Sequence, residues 1–477
     1  MKPFFSLVLS LCLWMFIGTC CVSAQTNLYS PAPKAFSDTS HLVSTTFFHW
    51  YASTGGQLTG PWRPIEGRPN WTGLPPWWKS QIKQVMAANI DILYVHLIPS
   101  TEIRRILLFQ ALSEMRAEGY DVPKVAPFLD PLITWDGRPK PDLATTAGKD
   151  SVAAQYVRFY TQYFAQNTDT HASDYLAYVD NKPVLDTWHV FELSNVGSLS
   201  EQDLSSRLGA AFGVKDSRFN NGVHMVTTGI NNPVYSFADE RVAQFEITQY
   251  YHATTHQGIK SVQLKPGYWD QNVRTPGDFL PRDGGIHYAA AWDQVDATVN
   301  RIYVESWNEY DEGTGIYAGD TLAPYIHPGS NNMSTDTWSL VNNPYEYIET
   351  TAQGSAKFND YPRLDARFLW HEAPIQLAPN QVDTAHIIIR NEGDEMWSNA
   401  KGYTLKQSPS DPVQFASQSG MIDDLLHDIP TFGGVFKGRP LRFDIPIIAP
   451  MQKGSYDHAL AYDEGRYGSW GGINDHD

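Results

Sequence analysis

The chain of 477 residues is longer than one ordinary domain, so a large domain with a smaller companion is the starting expectation. Hydrophobic residues at 42% and aromatic residues at 13% describe a folded globular protein and exclude a disordered or low-complexity one. A formal charge of −17 disfavours nucleic acid and anionic membrane as partners and leaves neutral substrates easiest to accept.

Lys2 precedes an apolar stretch from Phe4 to Ile17, followed by small residues and by Val22-Ser23-Ala24, the small-x-small pattern of a signal peptidase site. Residues 1–24 are expected to be a secretory signal peptide, which makes the mature chain a secreted or periplasmic bacterial protein. A lipoprotein anchor on Cys20 or Cys21 is the alternative, disfavoured by Thr19 and Cys20 as residues before a lipidated Cys. No later segment reaches the roughly 20 apolar residues that a membrane span needs. Cys12, Cys20 and Cys21 all fall in the leader, so the mature chain is expected to have no disulfide, no thiolate chemistry and no Cys-bound zinc.

Apolar runs of strand length then recur with helical stretches between them. The strand candidates are 45–51 (TTFFHWY), 92–97 (ILYVHL), 124–129 (KVAPFL), 183–188 (PVLDTW), 223–227 (VHMVT), 245–250 (FEITQY), 260–264 (KSVQL) and 301–305 (RIYVE). Helical stretches are expected at 77–88, 101–118, 151–166, 201–212 and 286–299. This alternation predicts an α/β fold with a parallel sheet, a (β/α)8 TIM barrel over 25–364, with a doubly wound open sheet as the rival. A barrel gathers at one mouth the polar residues that trail its strands. Those are His49, Trp50 and Tyr51; His96; Asp130; Asp186, Trp188 and His189; Tyr250, Tyr251 and His252; Tyr268, Trp269 and Asp270; and the acids from Glu305 to Glu312. Aromatic rings, histidines and acids in one pocket suit carbohydrate, whose CH faces stack on rings while its hydroxyls bond polar groups.

From Asp365 onward the pattern changes to alternating runs, 385–390 (AHIIIR) and 441–448 (LRFDIPII), with turn signals at Asn391-Glu392-Gly393 and Lys453-Gly454. A small all-β sandwich is expected over 365–477. Trp397 and Tyr403 read as core or edge aromatics there.

The stretch after the last expected barrel strand, NRIYVESWNEYDEGTGIY at 300–317, places Glu305, Glu309, Asp311 and Glu312 within eight residues. Hydrolysis of a glycosidic bond needs one carboxyl to protonate the leaving oxygen and another to act as base or nucleophile. Glu309 and Glu312, three residues apart, would share one face of a helical turn, and each charge would raise the other's pKa. The competing reading is local: Asn308 caps a helix whose first turn carries acids that offset its dipole. Position after the last strand, with Trp307 and Tyr310 interleaved, favours a site. His49, His96, His189 and His252 read as sugar contacts, because no HExxH or calcium-loop pattern accompanies them, and no cofactor or metal is expected. No G-x-S-x-G elbow occurs either.

Asn308-Glu309-Tyr310-Asp311-Glu312-Gly313-Thr314 resembles the Asn-Glu-Trp-x-Glu-Gly-Thr signature of the endo-α-mannosidase and endo-α-mannanase family of glycoside hydrolases. Phe47-Phe48-His49-Trp50-Tyr51 resembles the first barrel strand of that family. The chain also resembles exported bacterial proteins related to it. The likeness spans about 45–315 and implies a (β/α)8 retaining α-glycosidase that works inside a glycan chain. It implies that Glu309 assists the sugar 2-hydroxyl as internal nucleophile and that Glu312 is general acid, then base. His49, Trp50, Tyr51, His96, Asp130, Asp186, Trp188, Tyr250, Tyr251, Trp269, Glu305, Trp307, Asn308 and Tyr310 are the candidate substrate contacts. Tyr310 stands where the family has Trp, and Asp311 where it often has His. The C-terminal part resembles the immunoglobulin-like accessory domains of secreted bacterial glycosidases through Ile389-Arg390-Asn391-Glu392-Gly393, Trp397, Gly402-Tyr403-Thr404-Leu405, Ala449-Pro450, Gly454-Ser455-Tyr456 and Glu464-Gly465.

The expected activity is therefore hydrolysis of a polysaccharide or oligosaccharide by a monomer. A noncatalytic glycan-binding protein on the same scaffold, or a related glycosyltransferase, remains open.

Overall fold

In the computed structural model the described residues are 28, 35–51, 59–99, 102–228, 235–242, 248–274, 276–322, 336–359, 365–372, 376–398, 404–407, 414–415, 434–452, 459–463 and 473–474. The expected leader, 1–24, lies outside them. So do Tyr403 and the motif residues Gly402, Gly454, Ser455, Tyr456, Glu464 and Gly465.

The first part of the chain runs β1 (Leu42–Phe47), α1 (Pro75–Ala87), β2 (Ile92–His96), α2 (Glu102–Ala117), β3 (Lys124–Leu129), α3 (Pro131–Thr134), α4 (Thr146–Gln166), β4 (Tyr178–Val179), β5 (Lys182–Trp188), α5 (Glu201–Phe212), β6 (His224–Thr228) and β7 (Glu240–Val242). It continues with β8 (Tyr251–His256), β9 (Ile259–Leu264), β10 (Tyr268–Trp269), β11 (Phe279–Leu280), α6 (Ile286–Asp293), β12 (Arg301–Val304) and α7 (Glu346–Asn359). Local chemistry sets several helix starts. Pro75 and Pro76 open α1, where a missing N–H costs nothing. Thr145 caps α4, and Ser200 with Asp203 forms a reciprocal capping box on α5.

One sheet has the order β7-β6-β5-β3-β2-β1-β12-β9-β8, with β4 paired to β5. All neighbours along this path are parallel except β8 and β9, which are antiparallel. The sheet curls until its edges nearly meet: the Thr254 hydroxyl donates to the Arg241 carbonyl at 3.2 Å, and the His256 ring meets the Ala238 carbonyl at 2.9 Å. It is thus a nearly closed barrel with helices outside, not an open doubly wound sheet.

Both faces of its strands are buried. Val43, Phe47, Leu93, Val95, Val125, Ile302 and Val304 pack outward against the helices, while Leu42, Ile92, Tyr94, Ala126, Phe128, Val226 and Tyr303 form a smaller cluster within. Continuous apolar runs in the sequence follow from this double burial. The sixth expected strand is displaced. Residues 243–247 lie outside the described residues, 248–250 are not strand, and β7 takes the sheet position just before them. Its first residue, Glu240, is buried in an ion cluster, and a charge at such a position reads as loop until its partners are known.

The C-terminal part holds β13 (Ala366–Glu372), β14 (Val382–Asn391), β15 (Thr404–Gln407), β16 (Gln414–Phe415), β17 (Pro440–Ile448), β18 (Ala459–Asp463) and β19 (Ile473–Asn474). They form two small antiparallel sheets, β13-β14-β17-β16 and β15-β18-β19. Trp397 is buried among Ile387, Ile389, Leu441, Phe443 and Ile445. This part meets the barrel at the N-terminal end of β3, where the Asp121 amide donates to the Gly438 carbonyl at 3.0 Å and Arg390 to the Gly119 carbonyl at 3.2 Å. Among the described residues of this contact, it touches the end of the barrel opposite the acid cluster. No helix among the described residues is long and apolar enough to cross a membrane.

Candidate active site

At the C-terminal ends of the strands lies a cavity of about 190 Å³. Its polar lining is His96, Asp130, Arg274, Glu305, Ser306, Glu309 and Glu312, and its apolar lining is Phe48, Phe128, Leu132, Ile133 and Trp188. Three of the four clustered acids therefore face one space.

The segment after β12 is shaped by polar contacts to β1. Asn308 clamps Phe48: its side-chain oxygen accepts the Phe48 amide and its nitrogen donates to the Phe48 carbonyl, each at 2.8 Å. The Ser306 hydroxyl accepts the Glu309 amide at 2.7 Å. Tyr310–Gly313 then form a turn, closed by the Gly313 amide on the Tyr310 carbonyl at 3.3 Å. Gly313 has φ +61°, and a Cβ there would stand 2.9 Å from Pro61, so glycine is required. The helical turn expected for Glu309 and Glu312 is thus corrected to this tight turn. Asn308 is no helix cap, because the Phe48 backbone uses its side chain.

Each acid of the cluster has different partners. Glu305 is buried and neutralised by Lys265, 3.3 Å away, with Gln263 donating to the same oxygen. Glu309 accepts a hydrogen bond from the Tyr51 hydroxyl and one from the Asp311 amide at 3.3 Å; among the described residues no Lys or Arg pairs with it. Burial pushes its carboxyl well above the usual range, and the charge of Glu312 pushes the same way. Glu312 accepts from Arg274 at 2.8 Å; burial raises its carboxyl and Arg274 opposes the rise. Asp311 faces away and anchors the neighbouring loop through the Thr59 amide at 3.0 Å and hydroxyl at 2.8 Å.

The other side of the pocket comes from β2, β3 and β5. His96 stacks among Phe48 and Phe128, and burial holds its ring neutral. Asp130 caps α3 through the Leu132 amide at 2.8 Å. Burial lifts its carboxyl to about 7 although the two cap amides oppose this. Thr134 ties the same short helix to the Leu97 carbonyl at 3.0 Å, which holds Leu132 and Ile133 at the mouth. Trp188 stacks on His189 at 3.4 Å.

Several expected contacts lie elsewhere, each for a packing reason. Trp307 is fully buried and bonds Gln81 at 3.3 Å. Tyr310 is buried in a stack with Tyr317 at 4.9 Å and edge-on to Trp71. Both support the turn from beneath and do not line the cavity, nor does Asn308. Trp50 packs edge-on against His96 and Phe48, behind the pocket wall, and His49 is buried beside it. Asp186 sits inside the barrel, bonded by Thr228 at 3.0 Å, and burial favours its neutral form. Tyr250 stacks on His287 and bonds the Pro281 carbonyl at 2.6 Å. Tyr251 starts β8, and His252 beside it bonds Gln249 near the surface. Neither tyrosine reaches the cavity, because β8 closes the barrel edge. Trp269 is buried and its amide holds the Glu312 carbonyl at 2.9 Å. Tyr51 does not line the cavity but acts on Glu309.

Arg274 escaped the sequence reading. Its one signal was the Asp270-x-x-x-Arg274 spacing after an expected strand, an ordinary loop pattern until Glu312 is seen beside it.

Fold and site together define a nearly closed β/α barrel with a cluster of buried and part-buried carboxyls at the C-terminal ends of its strands. Among solved structures, a GH99 endo-α-mannosidase from Bacteroides thetaiotaomicron in complex with Bis-Tris propane is similar at 15% identity and TM-score 0.48, covering 68% of this chain and 99% of that one. A second structure of that enzyme gives 14% identity, TM-score 0.46 and the same coverage. An α-L-fucosidase isoenzyme 1 from Paenibacillus thiaminolyticus gives 9% identity and TM-score 0.29, covering 86% of this chain and 97% of that one. No protein-family model matches the chain, and no curated protein does. With these TM-scores below 0.5, the chemistry rests on the site's own geometry.

Proposed function

We propose that this chain is an exported glycoside hydrolase that cleaves α-linked glycan chains internally with retention. One observation carries the reading: Glu309 and Glu312 line one cavity with a neutral histidine, a high-pKa aspartate and a tryptophan. Two carboxyls of unequal partnership can divide acid and base roles between them. Following the resemblance, Glu309 assists the 2-hydroxyl at the sugar carbon beside the scissile bond. Glu312 protonates the leaving oxygen and then activates water. Trp188 offers a flat face, and Leu132 and Ile133 an apolar edge, against which a sugar ring can lie.

The experiment is a panel of α-linked polysaccharides, with product length and anomeric form measured for the parent and for Glu312→Gln. Internal products of retained configuration, lost in the variant while binding persists, are expected. Cleavage at the parent rate by Glu312→Gln would overturn the assignment of the acid. Binding without cleavage by the parent would leave the noncatalytic reading standing.

A further inference from the structure

The family-like reading gives Glu312 a proton to donate, yet the side chain held against it is a cation. Arg274 donates to the Glu312 carboxyl at 2.8 Å. It is braced from behind by Asp270 and by the Tyr268 hydroxyl at 3.1 Å. Asp270 is itself fully buried and accepts the Asp278 amide at 2.6 Å, so the brace is fixed. Arg274 is half-exposed, with 52% of its side chain accessible. Among the described residues, Glu309 has the Tyr51 hydroxyl and the Asp311 amide on its carboxyl and no Lys or Arg.

We propose that Arg274 is a positioning residue that decides which carboxyl of the pair carries the proton: it holds Glu312 as the anion and leaves the proton to Glu309. The proposal rests on the reading of these two as the working pair. A guanidinium in contact with a carboxylate stabilises the charged form, and two neighbouring buried carboxyls do not both ionise readily. The other groups that act on Glu312 cannot reverse this order. Glu305 beyond the end of β12 and Asp270 are acidic, Tyr268 is neutral, and Asp130 at the end of β3 is one more acid. Among the other described groups at or beside the cavity, burial keeps His96 neutral, Lys265 is paired with Glu305 at 3.3 Å, and Glu309 is itself a carboxyl. Glu312 can therefore donate a proton only once the Arg274 contact opens and the proton held by Glu309 passes to Glu312, which leaves Glu309 the anion that assists the 2-hydroxyl; the exposed side of Arg274 gives it room to move when a substrate enters.

The test needs no substrate. Protein labelled with ¹³C at glutamate side-chain carboxyls is titrated by NMR, with Glu309 and Glu312 assigned through Glu309→Gln and Glu312→Gln. Glu312 is expected to titrate below Glu309 in the parent and to rise by about 1 pH unit or more, tenfold in proton affinity, in Arg274→Gln. Arg274→Lys keeps the charge and is expected to fall between. An unmoved Glu312 in Arg274→Gln overturns the proposal, and so does an Arg274→Lys that shifts as far as the Gln variant, since packing and not charge would then be at work. If these shifts appear but Glu312→Gln still cleaves substrate at the parent rate, the assignment of Glu312 as the acid fails while the Arg274 coupling stands; if they appear but the parent cleaves nothing, the hydrolase reading fails and the coupling stands. With a cleavable substrate, the alkaline limb of kcat/KM moves upward in Arg274→Gln, because the acid stays protonated to higher pH.

Discussion

Strand β12 carries a buried acid problem at each end, and the two ends solve it differently. At its start, Arg301 donates to Glu240 at 2.7 Å and His224 meets the same carboxyl oxygen at 2.8 Å. Burial pushes Glu240 up, but Arg301 and His224 outweigh it and hold the carboxyl at about 2. Just past the strand's other end, Glu309 is part-buried and, among the described residues, pairs with no Lys or Arg, so burial and Glu312 push it up. A buried carboxyl with its charges matched is an element of structure. One left unmatched is poised to exchange a proton, which is how site and scaffold are told apart within one barrel.

The largest effect that sharpens this contrast is at the site. Glu312→Gln is expected to lower kcat/KM by about 10²- to 10⁴-fold, the usual worth of a positioned acid, with thermal unfolding unchanged. Glu240→Gln should do the reverse. Removing one partner of a buried ion pair costs about 3–5 kcal/mol, read by denaturant unfolding, while the carboxyl titration of Glu309 stays in place. The wild-type contribution of Glu240 is present above its unfolded value near 4.5 and is lost as pH falls through about 2. A Glu240 variant that abolished cleavage without loss of stability would break the division between the two ends.

Asp130 gives the opposite pH slope. Its folded carboxyl, at about 7, lies above the unfolded value of 3.8, so its contribution is fully present below pH 3.8 and is lost as pH rises through about 7. Unfolding measured from pH 4 to 8 should show a shallower decline in Asp130→Asn, which keeps an oxygen to cap α3, than in the parent, the raised carboxyls of Glu309, Glu312 and Asp186 supplying the rest. A decline unchanged in Asp130→Asn would assign it to another group. The smallest change is expected from Tyr51→Phe. Loss of one hydroxyl donor to Glu309 should raise that carboxyl further and reduce cleavage about tenfold, seen as a shifted acidic limb in the pH profile.

Several features could be read before any folding. The apolar runs at 92–97, 124–129 and 301–305 lie in β2, β3 and β12 because a strand buried on both faces must be apolar throughout, a purely local demand. The helix-length stretches at 201–212 and 77–88 were legible for the same reason, through caps and spacing. The acids after β12 stood out because carboxylates so near an apolar strand end need an explanation. Direction was not legible. Trp307 and Tyr310 alternate with the acids in sequence, yet they turn inward to Gln81 and Tyr317 while Glu309 and Glu312 turn to the cavity, a choice made by the clamp of Asn308 on Phe48.

What the sequence alone determined, then, was the alternation of strands and helices that builds a parallel sheet, most of its strands, and the crowding of acids after the strand at 301–304. Each depends on the spacing of residues along a few turns of chain. Only the tertiary structure decided how those acids differ. Lys265 reaches Glu305 across 40 residues of chain, Arg274 reaches Glu312 across 38, Tyr51 reaches Glu309 across 258, and Arg301 reaches Glu240 across 61. The proton affinity of a buried carboxyl is set by what the fold brings beside it, and no local pattern records that.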